Sequence, residues 1–439
     1  MMTTPVFAAA ESGTAEAEES AALQAASGSV GSIAEAAALS TAAANAESNA
    51  SASGEGTSAA SGLPAEGESL NDQIDTTHTI GVLVYNYSDD ETQAFANYLK
   101  GYISNCFNVE FVYSTNVTTQ EAEMQFIEDA AAYGVEGILS FMSFDLAAEA
   151  ELCAEKGMYY MMASGSVADE EFEAVSDNPY FLGAAGPGTD SEYEAGAQMA
   201  AYFAKQHYGD SYFILSGGGF TGNAMHLERT IGALDTLQET YGVSFDISSE
   251  ELAMSAEPVH ASAGDLEVCV CPGYLDSEIF LNTARKEYEK DQYQSVLSVL
   301  PGSALEQTLL GAKVGVIDCF SENNLQYMNS GELVYVAGKY GSLIGPSFIA
   351  MYNAITGYAE NFREDGKAFH LAQELWSSSD KDDYLRKYIL ASSQEITAYN
   401  YEDLQSVCAM VNPDASLEDL KALAAACSYE DVVERRGVQ

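Results

Sequence analysis

The sequence predicts an α/β protein built as two doubly wound lobes, each a parallel sheet covered by helices, joined by a hinge. Three features carry that prediction. Between Ile80 and Phe141 the chain alternates strand, helix, strand, helix, strand. Its strand segments are unbroken apolar runs such as Ile80-Gly81-Val82-Leu83-Val84, the pattern of a strand buried on both faces. A second alternation of similar size starts near Tyr212, which makes two sheets rather than one large one.

Residues 1–75 are dominated by Ala, Ser, Gly and Glu with no Lys or Arg, too little apolar area to offset chain entropy, so a disordered acidic leader or tether is expected. Within it Pro5-Val6-Phe7-Ala8-Ala9-Ala10-Glu11 reads like the small-residue cleavage end of a secretory signal, with no cysteine nearby to carry a lipid. The first lobe is expected over 76–208. Its strands are Ile80–Val84, Val109–Tyr113, Gly137–Ser140, Met158–Met162 and Tyr180–Gly183. Its helices are Glu91–Ser104, with Phe95, Leu99, Tyr102 and Ile103 at helical spacing, Thr119–Tyr133, Asp145–Lys156 and Ser191–His207.

The second lobe is expected over 209–340, joined to the first near His207 to Asp210. It takes strands Tyr212–Leu215, Leu266–Cys271, Ser295–Val299, Val314–Ile317 and Glu332–Ala337, with helices Asn223–Tyr241, Asp276–Asp291 and Ser303–Leu310 between them. Ser248 to Gly264 has no pattern that assigns it. Over 341–439 a crossover helix, Gly345–Asn361, leads to a tail in which strands stop after about Phe369. The tail's short helices are Tyr384–Leu390, Tyr401–Met410 and Ser416–Cys427, the last opened by the capping box Ser416-x-x-Asp419. This tail is expected to pack across the lobes or the hinge.

Composition narrows the partners. With 17 Lys and Arg against 67 Asp and Glu, the net charge of −50 repels nucleic acid and anionic membrane and suits a solvated, exported protein. No run approaches the roughly 18–20 apolar residues of a membrane-spanning helix. Seven scattered cysteines form no disulfide framework, although a Cys408–Cys427 bridge stays open. Cys269 and Cys271 lie on one face of a strand as small buried hydrophobes, with no Cys-x-x-Cys or neighbouring His in the sequence to complete a metal site.

No catalytic constellation is visible. The five histidines share no spacing with carboxylates, and no Gly-x-Ser-x-Gly elbow occurs. Gly217-Gly218-Gly219-Phe220-Thr221-Gly222 fits the dinucleotide fingerprint between a strand and a helix, but small residues also let any helix start approach an oxygen-rich ligand. In open parallel sheets ligands sit beyond the carboxyl strand ends. That points to Tyr85-Asn86-Tyr87-Ser88 and Ser140-Phe141-Met142-Ser143, and to the aromatics Phe144, Phe220, Tyr274, Phe320 and Tyr340 beside Asn223, Asp318 and Lys339.

From Thr79 to about Glu360 these segments, in this order, resemble the type I periplasmic solute-binding proteins, especially the ribose- and galactose-binding branch. Ile80 to Asn86 is similar to that family's first strand and ligand loop, and Gly134-Val135-Glu136-Gly137-Ile138-Leu139-Ser140 to its third strand. Ser176-Asp177-Asn178 with Gly196, Tyr212 to Gly217 with Arg229 and Gly232, Val314-Gly315-Val316-Ile317-Asp318, and Lys339 with Ile344-Gly345 continue the likeness. The resemblance implies ligand roles for Asn86, Arg229, Asp318 and Lys339 and for the loop Ser216 to Asn223. Two departures concern the ligand: Ala163-Ser164 stands where the sugar binders often carry Asp-Arg, leaving Ser164 as the candidate there, and Tyr87-Ser88 replaces a double phenylalanine.

The expectation is therefore an extracytoplasmic, monomeric solute-binding protein of an ABC importer, closing on a sugar or nucleoside-like molecule without chemical change. The expected ligand residues are Asn86, Tyr87, Ser140, Phe141, Ser164, Phe220, Asn223, Arg229, Tyr274, Asp318 and Lys339, with no cofactor and no metal. The alternatives are a ligand-sensing receptor domain and a dinucleotide-dependent enzyme using the Gly217–Gly222 loop.

Overall fold

The computed structural model describes residues 63–64, 68–274, 277–291, 293–301, 309, 311–363 and 365–438. Most of the expected leader and nearly all of the helix expected at Ser303–Leu310 lie outside these residues. Among the described residues the strands form two sheets, one of six strands and one of seven.

The first sheet holds β1 (His78–Leu83), β2 (Val109–Tyr113), β3 (Gly137–Ser140), β4 (Tyr159–Met162) and β5 (Phe181–Gly186). They pair in parallel, with β1 between β2 and β3. Their helices start and stop on local chemistry. Helix α1 (Asp90–Tyr98) is capped by Asp89, whose carboxylate accepts from the amides of Glu91 and Thr92, and it runs on into a π turn, Leu99–Ile103. Helix α2 (Gln120–Tyr133) is capped by Thr119 and ends at Gly134 in the left-handed region. Helix α3 (Leu146–Lys156) follows β3, and α4 (Asp169–Val175), not anticipated from the sequence, precedes β5.

Helix α5 (Thr189–Gln206) corrects the expected boundary near 208. Its buried face, Ala195, Met199, Ala200 and Phe203, joins a core with Tyr212, Ile214 and Leu297 of the second sheet, so the chain has already crossed lobes between Gly186 and Thr189. Strand β6 (Ser211–Gly217) and α6 (Ala224–Tyr241) follow. Helices α5 and α6 meet backbone to backbone: a Cβ on Gly196 would stand 1.9 Å from the Arg229 carbonyl oxygen, and one on Gly232 would stand 2.1 Å from that of Tyr193.

The unassigned stretch Ser248 to Gly264 holds α7 (Ser249–Ala253), opened by a Ser248/Glu251 capping box, and the edge strand β7 (Val259–Ala263). Then come β8 (Leu266–Pro272), α8 (Glu278–Asp291), β9 (Ser295–Ser298), β10 (Lys313–Cys319), α9 (Glu322–Ser330) and β11 (Leu333–Lys339). Helix α10 (Gly345–Asn353) returns to the first lobe, its Met351 in the core that holds Leu139 and Met161.

The tail is not purely helical, contrary to expectation. Strand β12 (Phe369–Ala372) adds in parallel to β5, and β13 (Trp376–Ser378) adds antiparallel to β11, so four residues after leaving one sheet the chain is in the other. Both segments are too short for periodicity to reveal. The helices α11 (Lys381–Ser392), α12 (Tyr401–Ser406), α13 (Leu417–Ala425) and α14 (Tyr429–Arg436) complete the tail, with the Ser416/Asp419 capping box in place. Trp376 stacks on Tyr340 at 4.0 Å between centroids, and both donate to the Cys427 carbonyl oxygen. Cys427 and Cys408 are free and buried, like the other five cysteines, which closes the question of a bridge between them.

An exposed helical glycine gains stability on replacement by alanine, but at Gly232 the added methyl meets backbone that cannot move without parting two helices. Gly232→Ala should lower unfolding free energy by about 1–3 kcal/mol, read by urea denaturation.

Candidate functional site

The two sheets face each other through their carboxyl strand ends. Tyr85, just past β1, stacks on Tyr274, just past β8, with centroids 5.7 Å apart and planes 28° from parallel. Lys339 at the end of β11 reaches across to Glu91 in the first turn of α1, 3.1 Å away. Beside them Asn323 donates to both Asp90 oxygens, at 3.1 and 2.9 Å.

Among the described residues ten buried side-chain atoms have no hydrogen-bond partner, and four of them belong to residues at or just past carboxyl strand ends: the Tyr113 hydroxyl on β2, Ser164 Oγ past β4, Ser216 Oγ on β6 and Asp318 Oδ1 on β10. Leaving such groups dry and unpaired costs about 1–3 kcal/mol each, so each is free to take a further hydrogen bond. The other Asp318 oxygen accepts from Asn324 Nδ2 at 2.7 Å. Burial, reinforced by the charge of Asp89, pushes the Asp318 carboxyl up to about 8, against the pull of Asn324. At neutral pH it therefore carries a proton and can donate as well as accept. Asp89 itself is raised to about 6 by burial and by Glu91, although the helix amides oppose the shift.

The remaining charges are fixed by partners. Arg229 Nε donates to Glu192 Oε2 at 2.6 Å, the two side chains only 5% and 0% exposed, and its Nη1 donates to the Val299 carbonyl oxygen. Ser166 Oγ donates to the other Glu192 oxygen. His226 is lowered to about 3 by burial and by the nearby Arg229 and Lys339, so its ring is neutral and Nδ1 accepts from the Gly218 amide.

Of the residues expected from sequence, Asp318, Lys339 and Tyr274 stand at the interlobe face with Tyr85, and Ser164 offers an unpaired hydroxyl. Several others are bound into local structure. The Asn223 side chain caps α6 at the His226 amide, the Asn86 side chain accepts from Ser88, and Ser140 Oγ donates to the Met142 carbonyl oxygen. Tyr87 lies edge-on to Tyr113 and accepts from Lys100, while Phe141 packs edge-on against Phe95 at 4.9 Å. Phe220 is half-buried in the short helical turn Gly219–Thr221. The Gly217–Gly222 loop is small for a reason other than a pyrophosphate: a Cβ on Gly218 would fall 1.9 Å from the Tyr274 hydroxyl, and one on Gly217 would fall 2.6 Å from His226 Nδ1. Sequence reasoning missed Glu91, Glu192 and His226. Their one signal is position, since each lies in the first turn of a helix that follows a strand.

No protein-family model matches the sequence, and none of the curated proteins does. Solved structures do resemble the fold. A galactofuranose-binding protein superposes at a TM-score of 0.52 with 11% identity, covering 72% of this chain and 100% of its own. A sugar ABC transport substrate-binding protein from Bordetella parapertussis gives 0.51 with 13% identity over 73% of this chain and 94% of its own. The fold is that of the type I periplasmic binding proteins. A solute-binding protein from Agrobacterium vitis with bound D-fucose gives 0.51 with 11% identity, covering 69% of this chain and 96% of its own.

Asp318 binds its proton more tightly folded than unfolded, so its contribution to stability is complete below about 4 and is lost as pH rises to about 8. In Asp318→Asn that loss is absent, and its melting temperature should gain on the wild type across that window and hold the gain above it. Glu192→Gln leaves the Arg229 guanidinium buried without its counter-ion and should cost about 3–5 kcal/mol in chemical denaturation.

Proposed function

We propose that this chain is an extracytoplasmic solute-binding protein that closes its lobes on one small, uncharged, hydroxyl-rich molecule and passes it unaltered to the permease of an ABC importer. The observation that carries this reading is the set of unpaired buried atoms at the strand ends, Ser164 Oγ, Ser216 Oγ and Asp318 Oδ1. Hydroxyl groups that donate and accept would satisfy all three, and the protonated Asp318 would bond a hydroxyl in either sense. The ligand is not anionic because the cations at the interface already have partners, Lys339 in Glu91 and Arg229 in Glu192. Tyr85 and Tyr274 supply flat apolar faces of the kind that pack on the CH face of a sugar ring or on a base.

The superposed proteins point the same way, for their bound molecules include D-fucose and, in one from Bacillus halodurans at a TM-score of 0.50, myo-inositol. Binding by a monomer through hinge closure fits a chain whose lobes are linked by Gly186–Thr189, Lys339–Gly345 and Ala372–Trp376, since bending at such links brings both sets of strand ends onto the ligand. Among the described residues no helix is long and apolar enough to cross a membrane.

Thermal-shift screening against pentoses, hexoses, cyclic polyols and nucleosides should find at least one stabilising compound. Calorimetry on that compound should show Asp318→Ala and Tyr274→Ala each weakening it about tenfold or more, the equivalent of about 1.4 kcal/mol. A panel in which no neutral polyhydroxylated solute stabilises the protein would refute the proposal.

A further inference from the structure

Away from the interlobe face, on the outer edge of the second sheet, three metal-ligating side chains from separate elements meet. The β7–β8 hairpin pairs His260 directly with Cys269. In an antiparallel pair, directly opposed residues project from the same face of the sheet, so the ring and the thiol lie side by side. Helix α8 covers that face: its Phe280, Ala284 and Tyr288 pack on Cys269 and Cys271, and Glu287 comes down beside the imidazole. His260 Nε2 lies 3.3 Å from Glu287 Oε2 and 3.8 Å from Cys269 Sγ, and all three donor atoms fall within 4.8 Å of one another.

We infer that His260, Cys269 and Glu287 form a binding site for a borderline divalent cation of the zinc type. A tetrahedral zinc ion, with N and O ligands at about 2.0–2.1 Å and S at about 2.3 Å, sets ligand-to-ligand edges of roughly 3.3–3.6 Å, close to the 3.3 and 3.8 Å that separate His260 from Glu287 and Cys269, with the third pair within 4.8 Å. Imidazole, thiolate and carboxylate together favour zinc over magnesium or calcium, which prefer oxygen ligands alone. The outer contacts suit the same role. Tyr293 OH lies 3.3 Å from His260 Nδ1, where it accepts the ring N–H and presents Nε2 to the ion, and it lies 3.3 Å from Asp291. The His260 side chain is 45% exposed, which gives the ion a path in and leaves the fourth position to water.

One group competes. Lys290 Nζ lies 2.6 Å from both Glu287 oxygens, but its side chain is 56% exposed and can swing into solvent at little cost. As the ion enters, the ammonium leaves the carboxylate, the thiol releases its proton to solvent, and the sulfur–metal bond forms. The result is a clamp between the edge hairpin and α8, separate from the ligand-binding face.

The test uses the untagged full chain with Co2+ as a spectroscopic probe and Zn2+ in competition with a chromophoric chelator. The expected result is one ion per chain with a thiolate-to-cobalt charge-transfer band. That band should be lost in Cys269→Ser, and affinity should fall more than about tenfold in the more exposed variants His260→Ala and Glu287→Gln and rise in Lys290→Ala. A wild type without the band, a band that survives Cys269→Ser, or unchanged affinity in His260→Ala overturns the proposal. If Cys269→Ser fails to fold, His260→Ala and Lys290→Ala decide alone.

Discussion

A parallel sheet covered on both faces leaves polar groups one dry place to stand, the carboxyl ends of its strands, and here two such ends are turned toward each other. Everything at the candidate site follows from that constraint. Ile80, Val82 and Leu83 of β1, Phe213, Ile214 and Leu215 of β6 and Val316 and Ile317 of β10 are apolar and buried, whereas Tyr85, Ser216 and Asp318, at or just past the ends of these strands, are polar. Ser216 and Asp318 are buried and each keeps an oxygen without a hydrogen-bond partner, whereas Tyr85 is half-buried. Asp318 shows the consequence most clearly. Burial first, and then the charges of Asp89, Glu91 and Asp90 of the other lobe, raise its carboxyl to about 8 and keep it protonated at neutral pH.

The tail makes this arrangement one body. A single apolar core runs from Ile80, Leu139 and Met161 in the first lobe, through Phe348 and Met351 of α10, to Val316, Leu333 and Val336 in the second, with Trp376, Tyr399, Leu420 and Cys427 of the tail within it. The lobes therefore cannot separate by shear along their whole boundary without exposing that core. On the opposite side of the boundary the contacts include the Lys339–Glu91 pair, the Asn323–Asp90 bonds and the Tyr85–Tyr274 stack. Of these, the Asn323–Asp90 bonds are exposed, whereas the Lys339 side chain is only 4% exposed and its pair with Glu91 is costly to break.

How much of this could be read from the sequence depended on the range of the interaction. Strands rich in buried apolar residues write their own boundaries: Gly137–Ser140, buried throughout, and the edge strand Val109–Tyr113, exposed only at Glu110, are where the apolar residues place them. Strand β7 escaped because an edge strand that is half-exposed throughout has no apolar run. Helix α5 was recognised as a helix but assigned to the wrong lobe, since amphipathicity reports that a face is covered and not by which sheet. Site residues behaved likewise. Asp318 and Lys339 were legible through position at strand ends, but the partners that decide their chemistry, Asp89 and Glu91, lie more than two hundred residues away in sequence. Asn223 and Ser140 misled for the opposite reason: a polar side chain beside a helix start or a turn can be consumed by its own backbone.

The distribution of charge completes the argument. The chain has only 17 basic side chains, and many of them serve internal tasks. Arg229 and Lys339 neutralise acids at the lobe boundary. Arg363 donates to the carbonyl oxygens of Asn178, Pro179 and Phe181, tying the approach to β12 onto β5. Arg435 and Arg436 bond the Ala398 carbonyl and pair with Asp403, closing the tail on itself. With so many cations turned inward, the acidic groups on the surface stand largely uncompensated, and self-repulsion opposes compactness. The continuous apolar core resists that repulsion, and a ligand seated between the lobes adds to the resistance only when it brings no negative charge of its own. The same imbalance that makes the surface repel anions thus argues, independently of the hydrogen-bonding groups, against an anionic guest.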